Sequence, residues 1–399
     1  MRLMSKGNGE MHHLSAYGLA AFFFLTPFEY PLADLMTISP LRIVGLIAMG
    51  LAVFDIFNQR YIRFHYRFLG VFLWLVYGLV SSLWALDADY FQSYYSIYLN
   101  NALMFMLFSL LNFSQSEANF LKKAMISGVC ALILYMLLIP DAVSYTSYQH
   151  RLTLNAGKEG LDQNYLAALM LVSFGLVFYK LCNEIQKKKH KIWRAVFCIA
   201  VVSVVILSGS RSGLIAVVLT AILSVNTSWK KRLKIGIPML LLLIVVFPVV
   251  AQYLPEDLLE RFTFDAFTGQ VRESGSRLMI WARALTALKN FKWMFGYGAG
   301  ASQAIVGDVL EKGVKMAIHN HYIAMVVEFG LIGAIFINYP IVKMTAVLWK
   351  KDRPMAVSFA GILTMAFFLD VVTTKFFWLA MILSSICCNI QYAGNRRCD

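Results

Sequence analysis

The stretch AIHNHYIAMVVEFGLIG (317–333) sets two imidazoles and an amide at the head of an apolar run long enough to enter a bilayer. A histidine at such a boundary exchanges a proton near neutral pH, which is what a general base must do. His319 is the candidate, because the helical step of about 100° per residue turns His321 away from it. Asn320, His321 and Tyr322 are candidate substrate contacts beside it. Glu328 travels with the run, and an ionisable group at that depth is costly and usually functional. A structural reading competes, in which interfacial histidines are simply satisfied by backbone carbonyls.

Two other stretches supply cations. LSGSRSGLIA (207–216) holds Arg211 at a tight turn beside Gly209, Ser210, Ser212 and Gly213. Small residues let backbone approach a ligand, a helix start favours an anion, and a guanidinium there grips phosphate through two oxygens at once. RESGSRLMIWAR (272–283) supplies Arg272, Arg277 and Arg283, with Arg277 and Trp281 four residues apart and so on one helical face, a cation beside a ring fit for stacking on a sugar. For both stretches a plain membrane-anchoring role stands as the alternative: arginines snorkel to the interface and glycines serve helix packing. In GLDQNYLAALM (160–170), Asp162 reads as a helix N-cap, and Asn164 is a weaker candidate ligand contact.

The elements that must position these residues are membrane helices. Hydrophobic residues make up 59% of the 399-residue chain and charged residues only 15%, and the mean hydropathy is +0.64, outside the soluble globular range. With a span needing about 20 apolar residues, the chain reads as all-α and polytopic, one integral membrane domain over 1–399 with about twelve transmembrane helices. These fall near 14–28, 41–58, 68–85, 96–112, 124–140, 163–182, 193–209, 212–227, 235–253, 320–346, 355–372 and 376–391.

If the N-terminus is inside, the alternate loops NQRYIRFHYR, NFLKK, IQKKKHK, WKKRLK, KKDR and the tail NRRCD all fall on the cytoplasmic side, and all are basic. That register leaves a shorter external loop at 141–162 and a large one at 254–318. The large loop is partly helical: RLMIWARALTALKNF (277–291) puts Leu278, Trp281, Leu285 and Leu288 on one amphipathic face, expected to lie on the outer membrane surface.

Several function classes are excluded. The net charge of +14 follows from topology and contact with anionic lipid, so no nucleic-acid partner is read from it. Cys130, Cys182, Cys198, Cys387, Cys388 and Cys398 fall in spans or inside, where none can form an external disulfide, and no metal-ligand spacing occurs. Walker, GxGxxG and GxSxG motifs are missing, as is a signal-peptide cleavage motif. No cofactor and no metal are expected.

In their order along the chain, GSRSG, then SRLMIW and FGYGAG in the long loop, then HNHYIAMVVEFGLIG, these residues resemble the O-antigen ligase and polymerase superfamily of bacterial envelope proteins. That family's pattern is a histidine, then asparagine, serine or glutamine, nine residues, a glycine, two residues and a small residue. Here it reads His319, Asn320, 321–329, Gly330 and Gly333. DQNYLA is similar to the family's aspartate–proline–asparagine motif, with Gln163 in place of proline. The resemblance covers about 160–372.

The resemblance implies a GT-C-like membrane glycosyltransferase, inverting and metal-independent. Such an enzyme moves a glycan from an undecaprenyl-diphosphate-linked donor to an acceptor sugar hydroxyl outside the bacterial cytoplasmic (inner) membrane. Arg211 and Arg277 would stabilise the departing diphosphate and His319 would take the acceptor's proton. Two acceptors remain open: a lipid-linked repeat unit, which makes a polymerase of O-antigen, capsule or exopolysaccharide, or the lipid A core of lipopolysaccharide, which makes a ligase. DQNYLA and VVTTKFFWLAM look closer to capsule and exopolysaccharide polymerases. A polysaccharide transporter or flippase is the alternative from another class, although no convincing repeat relates the two halves.

Overall fold

The computed structural model describes residues 13–33, 39–59, 61–146, 151–155, 161–185, 187–225, 277–310 and 317–390. Its helices are α1 (Leu14–Leu25), α2 (Glu29–Ala33), α3 (Pro40–Asn58), α4 (Tyr66–Val80), α5 (Ala88–Ser109) and α6 (Gln115–Leu138) in the first part of the chain. After them come α7 (Gln163–Asn183), α8 (Lys188–Leu207), α9 (Arg211–Ser224), α10 (Arg277–Ala287), α11 (Lys292–Phe295), α12 (Ala301–Leu310), α13 (His321–Lys351), α14 (Arg353–Met365) and α15 (Lys375–Asn389).

Eleven of the twelve expected spans overlap these helices, and 235–253 lies outside the described residues. Among the described residues, six segments are long and apolar enough to cross a membrane: α3, α4 with the turn after it, α6, α7, α8 and α13. This is a multi-pass membrane protein. Helices α1, α9, α14 and α15 have only 12, 14, 13 and 15 residues, short of the roughly 20 needed for a span. Helix α5 is long enough, at 22 residues, yet too polar.

The described residues are mostly helical, as the all-α class expects, with one small addition. Loop 141–162 carries a small antiparallel hairpin, β1 (Val143–Tyr145) and β2 (Leu152–Leu154), with Ser144 opposite Thr153. The Thr153 hydroxyl donates to the Leu161 carbonyl, and the Leu161 N–H donates to Leu154 at 3.2 Å. This pins the hairpin to the entrance of α7.

Polar contacts align the helix ends on two faces. On the basic face, Lys122 of α6 pairs with Asp352, the cap of α14, while Arg67 of α4 reaches Ser385 and Asn389 of α15, and Lys351 donates to the Cys388 carbonyl at 3.0 Å. A capping box between Ser114 and Glu117 starts α6 there, and the backbone N–H of His13 adds a 2.7 Å bond to the same carboxylate. The opposite helix ends adjoin the described segments 138–146, 151–155, 161–163, 207–211, 277–303, 317–330 and 366–375, and Asp162, Arg211, Arg277 and His319 fall in these segments.

Two expected spans are interrupted. The 320–346 segment is helical but breaks at Gly330, whose φ is +63°. The 355–372 segment stops at Met365, and 366–374 is an irregular link before α15. Irregular backbone at membrane depth survives only where protein or a watered cavity satisfies it. Here Ala366 and Leu369 carbonyls both accept the N–H of His321, at 2.8 and 3.0 Å, and Val372 accepts the Trp378 indole at 2.7 Å.

Candidate active site

Helix α8 ends at Ser208, and Gly209 turns the chain with φ +60°, a conformation glycine adopts without steric cost. Ser210 then caps α9: its hydroxyl accepts the Gly213 N–H at 3.1 Å and donates to the Asn164 side-chain oxygen at 2.9 Å. Asn164 in turn donates its backbone N–H to Asp162 at 2.8 Å, where Asp162 caps α7 as expected. A Cβ on Gly213 would lie 2.8 Å from that of Ala167, so only glycine lets α9 rest against α7. Ser210 and Asn164 are buried, and what they do is fix the place from which Arg211 projects as the first residue of α9.

The hairpin adds an arginine that the sequence reading did not single out. Arg151, just before β2, donates through Nε to the Ser208 carbonyl at 2.8 Å, and its Nη2 is buried without a partner. The backbone of Arg151 bonds Thr146 in both directions, 3.0 and 3.1 Å, closing the hairpin. Its only sequence signal is a cation inside the shorter external loop.

Helix α10 brings the third arginine. Its buried stripe is Ile280, Ala284 and Leu288, whereas Leu278, expected on the apolar face, is 54% exposed. Small Ala284 lets the helix lie close on the protein, and that support rather than hydrophobicity decides the register. Trp281 is partly buried, its indole N–H donating to the Ile318 carbonyl at 3.0 Å and its ring facing Phe368. Trp281 therefore braces the residue before His319. Arg277 shares this side of the helix. Arg283 is six positions on, about 240° around, and no interaction links it to the other arginines. Arg272 lies outside the described residues.

His319 adopts φ +52°, a strained value for a non-glycine residue and one that clusters at functional sites. Its Nδ1 is buried without a hydrogen-bond partner. Asn320 caps α13, its side-chain oxygen accepting the Ile323 N–H at 3.0 Å. The His321 side chain is fully buried against Tyr322 and Phe377, and the Tyr322 hydroxyl donates to the Leu363 carbonyl at 3.1 Å. The two histidines are thus separated into different environments.

These groups act on one another. Burial pushes the His319 imidazole below its ordinary value, the Arg277 cation lowers it further, and Asp162 partly opposes both. His319 is therefore neutral at neutral pH, able to accept a proton. Burial likewise lowers Arg277, with Asp162 favouring its charge and Arg211 opposing it. Burial lowers Arg151 too, with Asp162 supporting and both Arg277 and Arg211 repelling. Among the described residues Asp162 is the carboxylate that supports the charge of Arg151 and Arg277, and Arg211 opposes both, a concentration of guanidinium groups suited to an anionic ligand.

Residues 195–337 match the family model described as O-antigen ligase (Wzy_C). Over this span the chain is similar to the O-antigen ligase/polymerase superfamily. Among curated proteins no relative matches the chain. The O-antigen ligase match takes in Arg211, Arg277 and His319, together with the glycines that end the histidine pattern. It stops short of Arg151 and Asp162 on one side and of the 366–374 link on the other.

The glycines of the histidine pattern and of FGYGAG have a backbone reason. At Gly330 a Cβ would fall on the carbonyl of Met294, and at Gly296 on that of Glu328. The helix break frees two carbonyls, and the FGYGAG segment satisfies them: Tyr297 donates to Val327 at 2.9 Å and Gly298 to Glu328 at 2.8 Å. Glu328 is wholly buried and accepts from Tyr98 at 2.8 Å and from Ser302. Its carboxylate ties α13 to α5 and α12. Asp370 sits in the irregular link, 5% exposed, with Oδ1 unpartnered.

Proposed function

We propose that the chain is a membrane glycosyltransferase acting on the external face of the bacterial inner membrane. It takes a glycan from an undecaprenyl-diphosphate-linked donor and joins it to an acceptor sugar hydroxyl. One observation carries the reading: Arg151, Arg211, Arg277 and His319 come from four separate segments, Arg277 acts electrostatically on both Arg151 and His319, and Arg211 acts on both Arg151 and Arg277. The distribution of lysine and arginine supports an external position for these segments.

In this reading the acceptor oxygen attacks the anomeric carbon as the bond from that carbon to the diphosphate oxygen breaks. The acceptor's proton passes to the neutral imidazole of His319. Negative charge gathers on the diphosphate, and Arg211 and Arg277, joined by Arg151, stabilise it as fixed cations that need no reorganisation. A single displacement from the opposite side inverts the anomeric configuration. The guanidinium groups supply the charge that a divalent metal supplies elsewhere, so the reaction runs without one.

A lipid-linked repeat unit is the proposed acceptor, which makes the protein a polymerase of capsule, exopolysaccharide or O-antigen, on the likeness of DQNYLA and VVTTKFFWLAM to such enzymes. The test is purified protein in lipid nanodiscs supplied with undecaprenyl-diphosphate-linked repeat units and no ion gradient. Release of undecaprenyl diphosphate with glycans lengthening by whole repeats is expected. Transfer only when lipid A core is added identifies a ligase. Movement of intact donor across a liposome without release identifies a transporter.

A further inference from the structure

Helix α5 is as long as a span but is excluded from the apolar set by its own side chains. Ser96 and Asn100 are exposed on it, and Asn101, only 7% exposed, is beside them. No hydrogen bond holds the amide of Asn100 or Asn101 among the described residues. Unpaired amides facing lipid tails are costly, and in membrane proteins such groups line watered cavities or ligand sites. Here they line one: a cavity of about 640 Å³ between α1, α3, α5, α7 and the start of α15, within the size range of small-molecule sites, roughly 300–1,000 Å³.

The facing wall is aromatic and charged. Tyr165 and Phe376 meet edge to face with centroids 6.1 Å apart, and Arg42 and the Lys375–Glu29 ion pair also border the space. Amides that donate and accept at once match neighbouring sugar hydroxyls, and ring faces suit the C–H side of a sugar. A polyprenyl chain would leave both amides unpaired, so the lining disfavours a lipid tail. The cavity abuts the site already described. Tyr165 donates its N–H to Asp162 at 3.2 Å, Asn164 is its chain neighbour, and Thr373 on the cavity wall donates to the carbonyl of Asp370 at 3.0 Å.

We infer that this cavity is the acceptor subsite, where Asn100, Asn101 and the Tyr165–Phe376 pair hold sugars of the acceptor glycan so that its hydroxyl reaches His319. The inference rests on the transferase reading above.

Asn100→Leu tests it, because leucine is the better residue if that face merely meets lipid. In nanodiscs the acceptor KM is expected to rise about tenfold or more, the loss of roughly one good polar contact, with the donor KM unchanged. An unchanged acceptor KM, or a rise in the donor KM instead, overturns the subsite. A second measurement needs no turnover: acceptor oligosaccharide should slow maleimide labelling at position 100 of Asn100→Cys, read by mass spectrometry, and labelling that the oligosaccharide leaves unchanged overturns it as well. If wild-type protein releases no undecaprenyl diphosphate, the transferase reading fails on its own, while the labelling result still reports whether the cavity binds glycan.

Discussion

The indole of Trp281 donates to the carbonyl of Ile318 across 3.0 Å, joining the surface helix α10 to the residue that precedes His319. The same helix carries Arg277 one turn earlier. A single element thus sets both the candidate base and one of the cations, and His319 holds its left-handed backbone next to that brace.

Trp281→Phe keeps the ring and deletes the bond. A neutral hydrogen bond is worth about 1 kcal/mol net, so transfer should fall about fivefold or somewhat more if His319 shifts. The fall should appear in kcat with donor KM unchanged, since the ring itself remains. A donor KM that rises while kcat holds would make Trp281 a substrate-stacking residue instead.

His319→Ala should leave the protein inserted and donor-bound while transfer drops by about 10²–10⁴-fold, the usual contribution of a general base. His321→Ala should be milder, because that ring packs inside the protein. Complete loss in both variants would show that the pair acts together.

The pH dependence has a definite sign. Burial and Arg277 both lower the His319 value, so the acid limb of kcat/KM should lie below the ordinary histidine value of about 6.5, leaving activity flat through neutrality. Removing the cation in Arg277→Gln should raise the His319 value and move the limb of the residual activity to higher pH. A limb that stays in place in that variant would separate the two residues electrostatically.

Much of this site was legible because its groups fall in short motifs. Arg211 stands in GSRSG, Arg277 in SRLMIW and His319 at a fixed distance from Gly330, and the topology expected from lysine and arginine sets all three on one side of the membrane. Arg151 was not legible, since its place depends on a hairpin pairing Ser144 with Thr153. The link at 366–374 was hidden as well, because AFFLDVVTT carries no glycine or proline and reads as continuous span. The break at Gly330 could not be read either: a lone glycine is tolerated in a helix, and only the approach of Met294 makes this one necessary.

Gly330→Ala checks that last point. Alanine meets two costs there, about 1–3 kcal/mol for a left-handed non-glycine residue and the overlap with the Met294 carbonyl. The detergent-solubilised variant should melt lower by several degrees or fail to accumulate. Gly50→Ala, at a glycine with open space around it, should change little. Equal stability of the two variants would mean that the 294–298 segment moves away freely.

The arginines make the most discriminating case, because Arg151 joins Arg211 and Arg277 as a third cation of the proposed site. Arg211→Lys should still be impaired, since a point charge cannot replace a planar fork that bonds two oxygens at once. Loss of Arg211 or of Arg277 should raise the barrier by about 3 kcal/mol, the scale of one preorganised electrostatic contact. Arg151→Ala should cost less than either, because its Nε is already committed to the Ser208 carbonyl and only the rest of its fork is open to an anion. Mutual repulsion sharpens the prediction: deleting one cation relieves the others, so double variants should cost less than the sum of the singles. Single-turnover transfer in each single and double variant measures this directly. Strict additivity between Arg211 and Arg277 would mean that they grip different groups, and full activity of Arg277→Ala with donor affinity unchanged would leave α10 as a lipid anchor and pass its phosphate contact to Arg151.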